Sequence, residues 1–399
     1  MQRKSETILA IDVGSTSWKL CVGMLTQQGF VLERLVEVPM APNVVREGLV
    51  LEPETAARAL RTALSQAGVR QKAALVAVGG PQAMARPVRL PPMSPAVLRK
   101  SIQFEATRYL PSAAEEHLIG FEVLHSPLPT SATPNPNASE GASERHPDEH
   151  LEVLLVAVPR STVDSVISTL ERAGVEVKLV EIQPFACLRT VHALWQERMP
   201  SVFALIDFGG SHTQISVVRR GTLALTRHIP IASETLSAAL KGYFHFSDDE
   251  VNQVKHSLNV EELLQTGTPT ENPPLRLVQP ILDELIREIR RSLNYYQSQV
   301  QASKSHEGQI AQLVLTGGGA LMQGIAPYFE HRLGIRVHLF NPFVEAEKGG
   351  IPLRLDALHP DQRERGAQYV IVLGNALAPL EQRQPFRLAE PPTEEAQAA

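Results

Sequence analysis

The chain has 399 residues, of which 43% are hydrophobic, and a formal net charge of −5 at pH 7. This length predicts about two to three domains. The weakly acidic balance argues against nucleic acid as a partner. No apolar run approaches the roughly 20 residues of a membrane-spanning helix, and Met1–Glu6 leads into a strand without a signal-peptide core. We therefore expect a cytoplasmic protein that reaches a membrane only through a partner.

The cysteines argue against a disulfide framework. Cys21 and Cys187 both lie among apolar neighbours. Two buried free thiols are therefore expected rather than a disulfide or a metal site.

The stretch Thr7–Leu20 reads as a buried strand, a tight turn and a second strand. The apolar strand ends at Asp12, and the turn is made of small residues: Val13, Gly14, Ser15, Thr16 and Ser17. Gly14 can adopt positive φ and has no Cβ, so successive backbone N–H groups can point at an anion such as a phosphate. Asp12 would face that anion through a divalent cation, and Lys19 would add a positive charge.

A second copy of this pattern lies at Phe203–Val218. An apolar strand ends at Asp207 and is followed by a turn and an alternating strand, with the turn residues Gly209, Gly210, Ser211, His212 and Thr213. One such hairpin alone is also compatible with a turn that binds nothing. Two copies as widely separated in the sequence as Asp12 and Asp207 predict two similar domains. We expect these domains to face each other and to hold a phosphate group from both sides.

A glycine triplet follows a third buried strand within Leu313–Gly319. The triplet consists of Gly317, Gly318 and Gly319. Because backbone approaches a flat ring closely only where side chains are absent, these glycines would let an adenine and a ribose lie against the chain.

Two phosphate hairpins followed by a glycine triplet resemble the actin-like ATPase superfamily. Three further segments resemble the PilM family of type IV pilus assembly proteins: Arg86–Pro111, Ile289–Tyr296 and Phe340–Pro342. The likeness covers nearly the whole chain, apart from Ser126–His150 and about the last twenty residues.

The resemblance implies an α/β fold of the actin-like ATPase type. Two ribonuclease-H-like domains would surround a nucleotide cleft, with a small α+β subdomain inserted in the first. The expected parts are a first domain (1–85 and 151–200), an insert (86–150) with a disordered loop (126–150), a second domain (201–232 and 312–380), a helical subdomain (233–311) and a flexible tail (381–399). The loop is rich in proline and polar residues, which disfavours ordered structure.

The implied ligands are ATP and Mg²⁺. Asp12 and Asp207 would hold the ion through water, because Mg²⁺ keeps most of its hydration shell. In actin a glutamine at the start of the corresponding helix positions the attacking water, and Gln183 falls at that position; it is equally compatible with a plain helix-start residue. Asp207 is the second candidate catalytic residue. Glu181 stands where the family has an aspartate.

A further contact to the ribose or base is assigned to Lys255, by its place in the resemblance. We expect a helix over Ser247–Leu264, with Ser247 as N-cap and Glu250 as its capping-box partner. Because Glu250 is used in this cap, only Lys255 is kept as a ligand contact.

Three classes of function compete at this stage. The first is a scaffold at the inner membrane that binds ATP, hydrolyses it slowly at most, and binds the N-terminal cytoplasmic tail of the membrane protein PilN, linking it to the pilus motor. Other pilus inner-membrane and motor proteins, and self-association, are further partners that the resemblance allows. The alternatives are a small-molecule kinase, which needs an additional carboxylate base, and a filament-forming ATPase related to FtsA or MreB.

Overall fold

A computed structural model of the protein describes residues 7–110, 112–125, 150–265, 271–302, 308–380 and 387–388. The chain divides into two compact units, residues 1–81 with 161–382 and residues 82–160 with 383–399. The expected disordered loop lies outside the described residues except for His150, and so does most of the expected tail.

The larger unit begins with a sheet built around one fully buried strand. Its first elements are β1 (Thr7–Val13), β2 (Ser17–Thr26), β3 (Gly29–Pro39), β4 (Val45–Arg46), β5 (Leu49–Val50), α1 (Pro53–Gln66) and β6 (Ala73–Val78). Strand β1 pairs antiparallel with β2 and parallel with β6. Leu9, Ala10 and Ile11 are fully buried, as expected for an unbroken apolar run in a central strand.

The smaller unit consists of a sheet with one helix packed against it. Its elements are β7 (Met84–Leu90), α2 (Pro95–Ala106), β8 (His117–His125) and β9 (Leu151–Pro159). Strand β9 pairs with both β7 and β8. Residues 151–159, expected in the first domain, belong to the smaller unit, because their ladder partners β7 and β8 lie there. A continuous apolar core that includes Leu98, Phe121 and Leu155 holds helix and sheet together.

The chain then returns to the larger unit and repeats the opening hairpin. The next elements are α3 (Arg160–Arg172), β10 (Glu176–Ile182), α4 (Gln183–Trp195), β11 (Val202–Phe208), β12 (Thr213–Arg219) and β13 (Thr222–Ile229). Strand β10 joins β6 in parallel, while β11 pairs antiparallel with β12. The hairpin register is the same in both copies: Asp12 lies opposite Lys19, and Asp207 lies opposite Gln214.

Helices dominate the next segment. Its elements are α5 (Ser233–Phe244), α6 (Asp248–Ser257), α7 (Glu262–Gln265), α8 (Pro273–Ala302), β14 (Leu313–Thr316), α9 (Ile325–Leu333) and β15 (Val337–Leu339). Strand β14 pairs in parallel with β11 and β15, which completes a sheet in the order β13-β12-β11-β14-β15.

The helix expected over Ser247–Leu264 is interrupted. Its N-terminal capping box is confirmed, because the Glu250 carboxylate accepts a 2.7 Å hydrogen bond from the Ser247 backbone N–H. Helix α6 ends at Ser257, however, since Leu258 turns extended and buries its side chain while Asn259 forms a bridge with Gln323. Tertiary packing therefore overrides the helical pattern here.

The final segment crosses back to the first sheet. Its elements are α10 (Pro342–Glu347), β16 (Leu353–Arg354), α11 (Pro360–Glu364), α12 (Val370–Ala376) and β17 (Arg387–Leu388). Helix α12 is fully buried, and the Asn375 amide donates to the carbonyls of Ile11 and Leu75 at 3.2 and 2.7 Å. Strand β17, within the tail expected to be flexible, pairs with β8.

The expected buried free thiols are confirmed. Cys21 and Cys187 are free and buried. None of the helices in the described part of the chain has the length and apolarity needed to cross a membrane.

Candidate functional site

The two hairpins share a steric requirement at the first residue of each turn. A Cβ at Gly14 would lie 2.6 Å from the carbonyl oxygen of Ser17, and a Cβ at Gly209 would lie 2.8 Å from that of His212. In both cases the carbonyl that would clash belongs to the residue three positions further along the chain. Neither glycine adopts positive φ, although glycine at position 14 would allow it. The turns need glycine for space, because the backbone closes tightly on itself there.

The two turns face each other at contact distance. A Cβ at Gly210 would lie 2.7 Å from the Ser15 hydroxyl oxygen and 2.9 Å from Cγ2 of Thr16. A cavity of only about 10 Å³ adjoins Asp207 and Gln183. Such a volume holds about one water molecule. Because a Cβ at Gly210 would already meet Ser15 and Thr16, a nucleotide bound between the turns would require them to move apart.

Asp12 and Asp207 form one electrostatic unit with Lys19. Burial raises the pKa of Asp12, while the charge of Lys19 and a hydrogen bond from Gln183 act in the opposite direction. Burial, reinforced by the negative charge of Asp12, raises the pKa of Asp207 to about 7, and Lys19 again opposes the shift. The two carboxylates therefore interact across the facing hairpins.

This donor set fits Mg²⁺. Within the described residues, no group of three or more His, Cys, Asp or Glu side chains could enclose a metal ion. Two carboxylates that repel each other, such as Asp12 and Asp207, suit an ion that takes its remaining ligands from water and phosphate. A cation between them would also offset the repulsion by Asp12, which adds to the effect of burial on the pKa of Asp207.

Gln183 is fixed in place by three neighbours. It is the first residue of α4, as expected for a helix-start residue, and its Nε2 donates to Oδ1 of Asp12 at 2.8 Å and to the carbonyl of Val13 at 3.3 Å. A Cβ at Gly79 would lie 1.8 Å from Oε1 of Gln183. Gly79 is therefore a site residue that the sequence analysis missed; the signal was a glycine directly after the buried strand β6.

Glu181 serves the junction behind the site. Its two carboxylate oxygens accept hydrogen bonds of 2.6 and 2.7 Å from the two terminal nitrogens of Arg189. Arg189 also donates to the carbonyl of Gly374, in α12, at 2.9 Å. The pair links β10, α4 and α12, which gives Glu181 a structural role.

Several turn hydroxyls are already engaged within the protein. The Ser17 hydroxyl donates to Glu37 at 2.9 Å, and that of Thr213 donates to the Ile231 carbonyl at 2.6 Å. The Ser211 hydroxyl lies 3.2 Å from Nδ1 of His212. The donors that these turns could offer to an anion are therefore their backbone N–H groups and the hydroxyls of Ser15 and Thr16.

Lys255 is brought next to the second hairpin. Its Nζ donates to the Ser233 hydroxyl at 3.2 Å, and the Ser233 backbone N–H donates to the carbonyl of Gly209 at 3.1 Å. Burial lowers the pKa of Lys255, against the charge of nearby Glu234. The distant helix α6 thus places a cation beside the turn.

The glycines of the triplet have different roles. Gly317 has φ +92°, and a Cβ there would lie 2.3 Å from Oδ1 of Asp207. A Cβ at Gly319 would lie 2.6 Å from the ring of Phe208. Gly318 faces open space, with no atom within 4 Å of its Cβ position. Two of the three glycines are therefore required by packing around Asp207, and Gly318 alone is open to a ligand.

Comparison with known proteins gives a consistent picture. A family model described as type IV pilus assembly protein PilM matches residues 10–378. The cell division protein FtsA of Bacillus subtilis (strain 168) is 23% identical over 369 residues, which are 85% of this chain and 79% of FtsA. A solved PilM-PilN type IV pilus biogenesis complex has a TM-score of 0.74 at 23% identity, covering 94% of this chain and 98% of that chain.

A more distant structure shares the same fold. The ethanolamine utilization protein EutJ from Carboxydothermus hydrogenoformans has a TM-score of 0.51 at 15% identity, covering 94% of this chain and 91% of EutJ. The expected actin-like ATPase fold is thus confirmed. Because the family model spans nearly the whole sequence, the chain belongs to the PilM family of type IV pilus assembly proteins.

Proposed function

We propose that this protein binds Mg·ATP between its two hairpins and acts as a scaffold of the type IV pilus machinery. In its ATP-loaded form it binds the N-terminal cytoplasmic tail of the inner-membrane protein PilN and links it to the pilus motor. The protein itself stays in the cytoplasm and is held at the inner membrane by that partner.

One observation supports the proposed binding of Mg·ATP. Two hairpins of equivalent register face each other, and each places an aspartate at the end of its buried strand, Asp12 and Asp207. The charge of Lys19 acts on both carboxylates, and Lys255 lies beside the second turn. Opposed turns with backbone donors, two carboxylates and two cations suit a triphosphate with its Mg²⁺.

The partner part is supported by the family and by one solved relative. That relative is a PilM-PilN complex, whose fold this chain shares over 94% of its length. Membership of a pilus assembly family favours the scaffold over a metabolic kinase.

The arrangement around Gln183 favours slow hydrolysis at most. Its amide nitrogen is committed to Asp12 and Val13. To orient a water for attack on the γ-phosphate, Gln183 would first have to give up this hydrogen bond to a buried carboxylate, and hydrogen bonds to charged groups are worth about 1.5–3 kcal/mol.

Calorimetric titration with a synthetic PilN N-terminal tail, with and without Mg·ATP, tests the proposal. We expect saturable tail binding that ATP strengthens, and loss of the ATP effect in Asp12→Ala. Asp164→Ala, which removes an exposed aspartate on α3, is the matched control. Tight ATP binding without any response to the tail would contradict the scaffold and favour a kinase.

The likeness to FtsA supports one second candidate, a filament-forming ATPase. The same preparation distinguishes it. ATP-dependent pelleting on ultracentrifugation, with no tail binding, is the result expected of a filament; a protein that stays in the supernatant and binds the tail is the result expected of the scaffold.

A further inference from the structure

A groove on the helical part of the larger unit has no role in the proposed nucleotide site. It has a volume of about 560 Å³ and lies along the first half of α8, with Tyr243 from the end of α5 on its wall. A second cavity of about 240 Å³ shares Asp283 and Arg287 with it. The two together make an extended depression rather than a closed pocket.

Arginines dominate this depression. Arg276 and Arg287 line the larger cavity, and Arg287, Arg290 and Arg332 line the smaller one. In the described part of the chain, no acidic side chain forms an ion pair with Arg276. The Arg290 guanidinium donates to the backbone carbonyl of Arg332 rather than to a carboxylate. The depression therefore carries more positive charge than its own residues neutralise.

The acidic residues nearby are already paired. Asp283 accepts a 2.7 Å hydrogen bond from the Tyr328 hydroxyl and pairs with Arg332. Glu284 pairs with Arg287 on the next turn of α8. These carboxylates would repel the continuous phosphate backbone of a nucleic acid, whereas a short segment with a few spaced carboxylates can avoid them.

Apolar surface and a proline within the helix complete the lining. Tyr243 is 68% exposed, and Leu277 and Pro280 lie on the same groove. Pro280 stands inside α8 and has no N–H, so the carbonyl of Arg276 lacks its usual helical donor. The groove thus offers guanidinium groups for carboxylates, a ring and aliphatic surface for an apolar side chain, and one backbone acceptor.

We propose that this groove binds a short acidic segment of a partner protein. The segment places its carboxylates on Arg276 and Arg287 and an apolar side chain against Tyr243. Arginine forks recognise carboxylates bidentately, and an exposed tyrosine beside them is a typical anchor of a protein interface. This site is separate from the nucleotide cleft and adds a second partner surface to the PilN tail proposed above.

Fluorescence anisotropy with a labelled synthetic peptide of roughly ten residues, Glu-rich with two leucines, tests the site on the full-length protein. We expect saturable binding that becomes at least about tenfold weaker in Arg276→Glu/Arg287→Glu. Arg58→Glu/Arg61→Glu changes the net charge equally on the exposed face of α1 and should bind as the unaltered protein does. Equal losses in both double variants would overturn the proposal, because binding would then follow net charge alone.

The apolar anchor has its own test. Tyr243→Phe should keep the affinity for the same peptide, whereas Tyr243→Ser, or replacing both peptide leucines with serine, should weaken binding about fivefold. Single-stranded DNA of equal charge that bound more tightly than the peptide would overturn the assignment to an acidic protein segment. Unchanged ATP binding and melting temperature in the arginine variants show that the fold is intact and keep this result independent of the proposed nucleotide site.

Discussion

The side-chain amide of Gln183 donates a 2.8 Å hydrogen bond to Oδ1 of Asp12. Gln183 is the first residue of α4, and Asp12 lies next to the end of β1. The Cβ-free Gly79, after β6, makes room for the same amide. One side chain thus connects the start of a helix, a buried carboxylate and the exit of a neighbouring strand, so the position of α4 and the charge at Asp12 depend on each other.

Gln183→Ala should weaken Mg·ATP binding. Removing the amide takes a hydrogen bond from a carboxylate that is only 4% exposed, which raises the pKa of Asp12 further and disfavours the charged form that a cation needs. We expect an affinity loss of about tenfold, since hydrogen bonds to charged groups are worth about 1.5–3 kcal/mol. Calorimetric titration checks this, with exposed Gln66→Ala on α1 as control. An unchanged affinity would mean that Asp12 does not meet the metal.

The contribution of Asp207 to the stability of the protein should fall as pH rises toward neutrality. The folded state raises the pKa of Asp207 from its ordinary value of 3.8 to about 7, so between these values it binds more protons than the unfolded chain. The contribution of Asp207 to the free energy of unfolding must therefore decrease with pH across this window, by at most about 1.4 kcal/mol per pH unit. His212 and His228, whose pKa values burial lowers to about 4 and about 3, contribute in the opposite sense.

Asp207→Asn isolates that contribution. Urea denaturation at several pH values between 4 and 8 should show that the stability of the variant, relative to that of the unaltered protein, increases with pH, and that the variant is the more stable of the two at the upper end. Asp164→Asn, on the exposed face of α3, should leave the profile unchanged. Parallel profiles for Asp207→Asn and the unaltered protein would contradict the raised pKa.

Binding of Mg·ATP at pH 7 should release protons from Asp207. A cation beside the carboxylate favours its charged form, so part of the population that is protonated at a pKa of about 7 must lose its proton. Calorimetry in two buffers of different ionisation enthalpy measures that release. It should disappear in Asp207→Asn if that variant still binds; equal release in both proteins would assign it to another group.

The repeated hairpins could be predicted from the sequence because their signals are local. An apolar run, an aspartate and small turn residues define each copy, and the structure gives both the same strand register at Asp12 and Asp207. The reason why position 14 needs a glycine could not be predicted. Glycine is required both where φ is positive and where a backbone carbonyl lies too close for a Cβ, so the sequence is the same in either case. Only the Ser17 carbonyl, 2.6 Å from the Cβ position, distinguishes the two.

Features that depend on distant partners could not be predicted. Strand β9 belongs to the smaller unit because of its ladder with β7 and β8, and its sequence is compatible with either sheet. The contact of Gln183 with Asp12 joins residues 171 positions apart. The Thr213 hydroxyl donates a hydrogen bond to the carbonyl of Ile231, which no sequence motif predicts.

Substitutions in the glycine triplet should distinguish the residues needed for folding from those needed for ligand binding. Gly317→Ala should destabilise the protein by about 1–3 kcal/mol, because alanine is strained at positive φ and its Cβ would meet Asp207. Gly318→Ala fills open space and should leave the free energy of unfolding within about 0.5 kcal/mol. If the adenosine lies against the triplet, Gly318→Ala should still weaken ATP binding. Urea denaturation and calorimetry together check both; a stable Gly318→Ala with full ATP affinity would place the adenosine elsewhere.

The Glu181–Arg189 pair should matter for stability more than for binding. The two side chains are only 11% and 9% exposed, so Glu181→Ala leaves a buried, uncompensated guanidinium. Removing one partner of a buried ion pair typically costs about 3–5 kcal/mol, whereas replacing both with apolar residues of similar size often costs little. We therefore expect Glu181→Leu/Arg189→Met to be more stable than Glu181→Ala. A double-mutant cycle by urea denaturation measures the coupling between the two side chains. Additive losses of stability would show that the pair is not coupled. The effect of replacing Arg189 would then come from its contact with the carbonyl of Gly374.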